Sequence, residues 1–243
     1  MLRLLFLKFK QLLGFEYETY RGLRLPVRRS NQGMSNNATY LEETAAQVGA
    51  FLGKGDDSIR LLDFGSGQGR LLNGLMGGGI QFAEYVGVDV DAKSLGWCIR
   101  NLTYDRNIAF VWYNQSNARY NSAGESYDGL PVKDGYFSHV FSNSVFSHLD
   151  EGDVIKYAGL LRGAVPEGGR LYLTAFTEEG VENFAENPDG YMGATGDTSP
   201  LHRVRFNKEY FISIFEERGW ALDEYRQNGI ARTGQSELVF RAV

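Results

Sequence analysis

Residues 61–72 read LLDFGSGQGRLL: an apolar run that ends in a carboxylate, Asp63, and then three glycines at alternate positions. The apolar run predicts a buried strand, and the leucine-rich stretch after the glycines predicts a helix. Glycines at such a turn let the backbone approach a ligand and offer N–H groups at a helix N-terminus. The stretch is therefore typical of a nucleotide-binding loop. Its glycines are Gly65, Gly67 and Gly69.

From residue 38 onward the chain alternates between strand-like and helix-like periodicity. The segments that predict strands are SIRLLDF, EYVGVDV, IAFVWY, YFSHVFS, RLYLTAF, WALDEY and SELVFRAV. Helical spacing between most of them indicates a parallel sheet covered by helices on both faces. Residues 177–203 show no clear period, and we interpret them as a lid or substrate insertion, since long loops in compact domains are usually functional. One domain at residues 36–243 is predicted.

Composition excludes several classes of function. The chain has 243 residues, one cysteine, three histidines and a formal net charge of -5. One cysteine excludes an internal disulfide and a multi-cysteine metal site, and we predict no metal. A mildly acidic body argues against a nucleic-acid partner, whose phosphates need a basic surface.

The first 35 residues form a predicted N-terminal extension that is basic and amphipathic, with seven basic and two acidic side chains among residues 1–30. Lysines interrupt its apolar start, MLRLLFLKFKQLLG, and no signal-peptide cleavage site follows. The extension is expected either to pack on the body or on a partner subunit, or to contact a membrane peripherally. A cytoplasmic protein is predicted, membrane-peripheral if residues 1–30 bind lipid. The oligomeric state stays open.

The second predicted strand ends in Asp89, twenty positions after Gly69. A carboxylate there can accept hydrogen bonds from the two hydroxyls of a ribose. Dinucleotide sites usually show G-x-G-x-x-G, whereas this loop reads G-x-G-x-G with an acid two positions before the first glycine. The third glycine expected of a nicotinamide oxidoreductase is missing, but that enzyme class stays an alternative, as does a non-catalytic scaffold with the same fold.

With these motifs, residues 36–243 resemble the class I S-adenosylmethionine-dependent methyltransferases. The resemblance implies a doubly wound, Rossmann-like α/β fold with a mostly parallel seven-stranded sheet. It also implies an antiparallel last strand beside the fifth. The implied cofactor is S-adenosylmethionine, with S-adenosylhomocysteine as product. The implied cofactor-binding residues are Asp63, Gly65, Ser66, Gly67, Gly69, Asp89, Val90, Asn114 and Asn143.

Two positions depart from the family pattern. The fourth strand begins Phe137-Ser138 where the family commonly has Phe-Asp. Asn114 stands where an acid often meets the adenine amino group, and its side-chain carbonyl can still accept that hydrogen bond.

The segments SVFSHL and PLHRVRF resemble a bacterial branch associated with glycan or cell-envelope biosynthesis. We therefore predict O-methylation of a small molecule or a sugar. A hydroxyl acceptor benefits from a general base, and histidine is the usual one near neutral pH. His148 and His202 are the candidate bases, although a histidine that only packs locally is an open alternative for His148. Candidate substrate-binding residues are Ser144, Tyr191 and Arg203.

Overall fold

The computed structural model describes residues 16–27, 38–193, 196, 199–230 and 233–243. The amphipathic start predicted for residues 1–14 lies outside these residues. The described strands are β1 (Tyr17–Tyr20), β2 (Leu23–Pro26), β3 (Arg60–Phe64), β4 (Glu84–Asp89), β5 (Ile108–Trp112), β6 (His139–Ser142), β7 (Arg170–Glu178), β8 (Phe184–Glu186), β9 (Val204–Asn207), β10 (Trp220–Ile230) and β11 (Gln235–Ala242). The described helices are α1 (Ala38–Leu52), α2 (Arg70–Gly78), α3 (Ala92–Asn101), α4 (Glu151–Ala164) and α5 (Lys208–Glu216).

The chain divides into two compact units. Unit 1 holds the described residues through Ile59 together with Ser66–Trp112, and unit 2 holds Arg60–Gly65 and Tyr113–Val243. The chain passes from one unit to the other at three places, and one of them falls inside the glycine loop, at the peptide bond from Gly65 to Ser66. The predicted domain boundaries at residue 36 and at 177–203 stay predictions.

The described part of unit 1 includes a hairpin for which no element is predicted from the sequence. β1 and β2 pair in antiparallel register around the two-residue turn Arg21-Gly22. Both turn residues have positive φ, 50° and 80°, which is the backbone of the hairpin turns that match strand twist. The sequence signal is weak because arginine is unusual at a left-handed position.

The remainder of unit 1 carries the parallel strands β4 and β5, which are aligned from Tyr85 opposite Ile108 to Asp89 opposite Trp112. Helix α1 packs against α2. Gly74 allows this close approach, since a Cβ there would lie 2.8 Å from Cγ2 of Thr44.

Unit 2 contains strands in the order β10-β11-β7-β6-β3. Strands β3, β6 and β7 are parallel, and β11 lies antiparallel between β7 and β10. The predicted antiparallel last strand beside the fifth, which is β7, is thus confirmed. The mostly parallel α/β fold is confirmed as well. Apolar runs such as Leu61-Leu62 are fully buried, as parallel strands covered on both faces require.

The segment without clear period contains one short strand. β8 pairs antiparallel with β9, and β9 lies beside the carboxyl end of β7 and pairs with it in parallel register. A three-residue strand leaves no periodicity in a sequence, so β8 is visible only in the structure.

An aromatic core in unit 2 positions the turn that follows β6. Phe146 begins a short 3₁₀ turn, Phe146–His148, and is fully buried. Its ring meets Phe211 edge-on at 6.1 Å and lies 5.6 Å from Phe215, which stacks on Phe240. The anchored phenylalanine fixes where the next residues, Ser147 and His148, are presented.

Candidate functional site

In unit 1 the glycine loop is held by its own backbone. The N–H of Ser66 donates to the Val88 carbonyl at 3.0 Å, and the N–H of Gly69 donates to the Ser66 carbonyl at 2.9 Å. Gly67 and Gly69 have φ of 53° and 72°, in the left-handed region that favours glycine. Gly69 is also the N-cap of α2, and a Cβ on it would collide with Leu102.

Asp89 lies buried at the end of β4, and backbone donors hold both of its carboxylate oxygens. Gly67 N–H donates to Oδ2 at 2.7 Å and Asp91 N–H donates to Oδ1 at 2.8 Å. Burial raises the pKa of Asp89 to about 6, while these backbone hydrogen bonds act to lower it. Each oxygen has a further lone pair, so the carboxylate can also accept hydrogen bonds from a pair of ligand hydroxyls.

The residues of this loop fit a nucleoside. The hydroxyl of Ser66 is buried and has no hydrogen-bond partner among the described residues, which leaves a donor for a bound ligand to satisfy. The loop also places this hydroxyl close to strand β4, because a Cβ on Gly87 would lie 3.0 Å from the Ser66 Cβ. A buried carboxylate and an unpaired hydroxyl beside glycine backbone match the donors and acceptors of a ribose.

The indole of Trp112 lies near the end of β4. Its N–H donates to the Val90 carbonyl at 3.1 Å, and half of the side chain is exposed. Trp112 is therefore a surface residue and not part of the core.

The remaining predicted cofactor residues belong to unit 2. Asp63 is buried on β3, opposite Phe141 of β6. Gly65 has φ of 83°, and a Cβ on it would collide with Val145. Asn114 follows β5, and its side-chain oxygen accepts from the amide of Asn121 at 3.1 Å.

Asn143 belongs to a polar network in unit 2 that joins the end of β6 to β7 and β11. The Thr174 hydroxyl donates to the Gln235 side-chain oxygen at 2.6 Å and lies 3.2 Å from that of Asn143. The same hydroxyl accepts the backbone N–H of Ser144 at 2.7 Å. The hydroxyl of Ser144 lies 3.2 Å from the Gln235 oxygen.

The network holds Ser144 at φ of 59°, a strained backbone for a residue with a side chain. Strain that is held by surrounding structure is common at functional sites. The sequence singled out Asn143 and Ser144 but not Thr174 or Gln235. Thr174 and Gln235 are 61 residues apart, and the local sequence around either one does not indicate that they share a network.

His148 is held by the segment that carries the second predicted base. Its Nδ1 lies 3.0 Å from the carbonyl oxygen of Leu201, which can only accept, so Nδ1 carries the proton. Because neutral imidazole has one N–H, the lone pair is then on Nε2. Burial is the main cause that lowers the pKa of His148 to about 4; the hydrogen bond to Leu201 acts to raise it, and electrostatic interaction with Arg119 and His202 acts with burial. His148 is therefore neutral at pH 7.

The structure also connects two of the three predicted substrate residues, Tyr191 and Arg203. The Arg203 guanidinium donates to the Tyr191 carbonyl at 3.0 Å, and the Arg203 N–H donates to the side chain of Asn187 at 2.9 Å. The guanidinium of Arg205 lies over the Tyr191 ring, 5.4 Å from its centroid. Burial and the neighbouring Glu178 raise the pKa of Tyr191, which therefore stays a neutral phenol.

The residues that the structure describes contain no cluster of three or more histidine, cysteine, aspartate or glutamate side chains that could hold a metal ion. In the same residues, every helix is too short or too polar to cross a membrane.

Comparison with known proteins places these features in a family. A family model described as "Methyltransferase domain" matches residues 38–225. The solved structures that resemble the chain include a 1,6-didemethyltoxoflavin-N1-methyltransferase of Burkholderia thailandensis with bound S-adenosylhomocysteine. That structure has a TM-score of 0.58 and 14% identity, over 85% of this chain and 80% of the other.

Two further structures share the fold. An S-adenosylmethionine-dependent methyltransferase of Mesorhizobium loti has a TM-score of 0.57 and 15% identity, over 83% of this chain and 99% of the other. The magnesium protoporphyrin IX methyltransferase of Synechocystis PCC 6803, with bound S-adenosylmethionine, has a TM-score of 0.54 and 14% identity, over 84% of this chain and 79% of the other. At these identities the likeness shows a common fold.

Proposed function

The chain belongs to the methyltransferase family, and from that premise we propose that it methylates a hydroxyl oxygen of a small molecule or a sugar, with His148 as the general base. The enzyme is an S-adenosylmethionine-dependent methyltransferase. When bound, S-adenosylmethionine supplies an activated methyl group on its sulfonium. The observation that carries the proposal is the state of His148, a neutral ring whose Nδ1–H is donated to Leu201.

Cofactor recognition is assigned to the loop of unit 1. Asp89 accepts the ribose hydroxyls with the lone pairs that Gly67 and Asp91 leave available. Ser66 provides the unpaired hydroxyl. Asp63, Gly65, Val90, Asn114 and Asn143 are retained as cofactor-binding residues on the family resemblance.

The acid-base step follows from the tautomer of His148. Nε2 takes the proton of the acceptor hydroxyl as the oxygen gains its bond to carbon, and general bases contribute roughly 10²–10⁴-fold to such steps. A base with a pKa of about 4 is weak, so the proton transfers late, when methyl attachment has made the hydroxyl strongly acidic. Ser144, Tyr191, Arg203 and His202 are proposed to contact the acceptor.

Cofactor binding is tested first, by calorimetric titration of S-adenosylhomocysteine. We expect micromolar affinity in the wild type and none in Asp89→Ala. The matched control is Asp91→Ala, which removes a neighbouring carboxylate that caps α3 and keeps the backbone N–H on Asp89. Loss of binding in both variants would assign the effect to the fold of the loop and not to the Asp89 carboxylate.

The acceptor atom is tested with ¹³C-methyl-labelled S-adenosylmethionine and pairs of acceptors that differ only in a hydroxyl or an amine. We expect the label in methoxy groups. His148→Gln is expected to lower kcat by roughly 10²-fold or more with an unchanged KM for the cofactor. His139→Gln, whose ring contacts the Ser138 hydroxyl at 2.9 Å, serves as control. Label on nitrogen or carbon, or full activity in His148→Gln, would contradict the proposal.

A further inference from the structure

A partly exposed arginine beside His148, Arg119, has no role in the assignments above. Arg119 lies in the loop after β5, and its Nε is buried with no hydrogen-bond partner among the described residues. Those residues contain no carboxylate in ion-pair contact with it. An unmade hydrogen bond of a buried donor costs about 1–3 kcal/mol, and more for a charged group. An unpaired donor of this kind indicates a ligand that accepts its hydrogen bond.

The loop holds Arg119 in a fixed place. The side-chain oxygen of Asn117, a buried residue, accepts the backbone N–H groups of both Arg119 and Tyr120 at 3.0 Å. The backbones of Asn117 and Asn121 also exchange hydrogen bonds of 3.0 and 3.1 Å. The turn is therefore closed by four hydrogen bonds, and Arg119 projects from a rigid base.

Tyr120 links this cation to the proposed base. The Arg119 guanidinium lies 5.4 Å from the centroid of the Tyr120 ring, and the same ring meets the His148 ring edge-on at 5.7 Å. Arg119 is close enough to disfavour the charged form of His148. Arg119, Tyr120, His148 and His202 thus form one cluster, in which arginine carries a permanent positive charge.

We propose that Arg119 binds an anionic group of the methyl acceptor, a carboxylate or a phosphate, while the hydroxyl of the same acceptor faces His148. Guanidinium groups present a fork of donors that matches both anions. The assignment rests on the proposed function, because it names the acceptor class of the same site. A bound anion would also raise the basicity of His148, because it offsets the Arg119 charge that disfavours the protonated imidazole.

The test observes the histidines directly. The chain has three, His139, His148 and His202, so a ring-¹³C-labelled sample gives three resolvable signals, assigned by histidine-to-glutamine variants. The protein is saturated with S-adenosylhomocysteine and titrated with methyl phosphate, with acetate and with acetamide, the uncharged counterpart of acetate. We expect a saturable, millimolar response of His148 to an anion, an upward shift of its titration midpoint, and no response to acetamide.

Two arginine variants separate the proposed site from general charge effects. Arg119→Gln is expected to abolish the response and Arg119→Lys to retain part of it. Arg100→Gln removes an exposed arginine paired with Glu16 and is expected to respond as the wild type. The His139 signal at its wild-type position before titration shows that each variant is folded.

Each outcome decides the proposal. A response to methyl phosphate alone identifies a phosphorylated acceptor, and a response to acetate alone identifies a carboxylated one. A folded wild type in which His148 responds to neither anion overturns the proposal, as does a response that survives in Arg119→Gln. If the methyl label enters nitrogen while the anion response persists, the hydroxyl assignment fails and the Arg119 site stands.

Discussion

At the scale of single residues, the buried carboxylate of Asp89 is expected to make cofactor binding depend on pH. Its pKa is raised to about 6 by burial, and only the ionised form offers acceptors on both oxygens. The affinity for S-adenosylhomocysteine is therefore expected to fall as pH decreases through 6. Calorimetry from pH 8 to pH 5 measures this. Asp91→Ala should move the midpoint lower, because the Asp91 charge is one cause of the raised pKa. An affinity that does not change between pH 8 and pH 5 would contradict the assignment of Asp89 to the cofactor site.

His148 gives a second pH dependence, of stability. Its folded pKa is about 4 and its ordinary value is 6.5, so the unfolded chain binds the proton more tightly. Stability from this residue is present above pH 6.5 and is lost as pH falls toward 4. Burial is the main cause of the lowered pKa. The groups that face the ring are Arg119, His202, Tyr120 and the carbonyl of Leu201.

We expect the free energy of unfolding of the wild type, measured relative to His148→Gln by urea denaturation, to decrease between pH 6.5 and pH 4. The comparison with the variant is required because Asp89 acts in the opposite direction. Its raised pKa contributes stability at pH 4 that is lost as pH rises through 6. Parallel curves for the two proteins would show that the ring of His148 is solvated.

At the scale of elements, the two glycines that flank helix α2, Gly69 and Gly79, can be compared with each other. Gly69 before it and Gly79 after it both have positive φ, 72° and 64°. A Cβ on Gly69 would collide with Leu102, whereas Gly79 has open space. An alanine in the left-handed backbone conformation lowers the stability of each variant by a similar amount, of order 1–3 kcal/mol.

Gly69→Ala is therefore expected to be less stable than Gly79→Ala by a further 1–3 kcal/mol or so from overpacking. It should also weaken S-adenosylhomocysteine binding, because the loop must move to relieve the contact. Gly79→Ala should bind as the wild type. Chemical denaturation and calorimetry of the pair measure both effects, and equal behaviour of the two variants would show that the loop adapts freely.

Elements built from local pattern were predictable from the sequence, and long-range contacts were not. β3, the glycine loop and α2 follow each other directly, so periodicity and glycine spacing locate them. The hairpin of β1 and β2 was missed because its turn places arginine at a left-handed position. His148 was chosen for its place after β6, but its partner Leu201 is 53 residues away. Arg119 carries no motif, and only its unpaired, buried nitrogen reveals it.

At the scale of the whole molecule, cofactor binding is expected to appear as thermal stabilisation. A ligand that binds only the folded state at about 100 times its Kd adds about 2.7 kcal/mol. For a chain of 243 residues, each kcal/mol raises Tm by roughly 2–4 °C. Saturating S-adenosylhomocysteine should therefore raise the Tm of the wild type by roughly 5–11 °C, and that of Asp89→Ala not at all.

The same melting experiment with NADH separates the adenosine-binding loop from a dinucleotide site. The two ligands share a ribose that Asp89 can hold, but G-x-G-x-G lacks the third glycine that eases helix packing beside a pyrophosphate. Gly69 is the N-cap of α2, and the Leu102 side chain occupies the space that a Cβ on Gly69 would need at the start of that helix. We therefore expect no shift with NADH. An equal shift with both ligands would mean that the loop recognises the adenosine ribose without discriminating what is attached to it, and selectivity would then have to come from residues outside the loop.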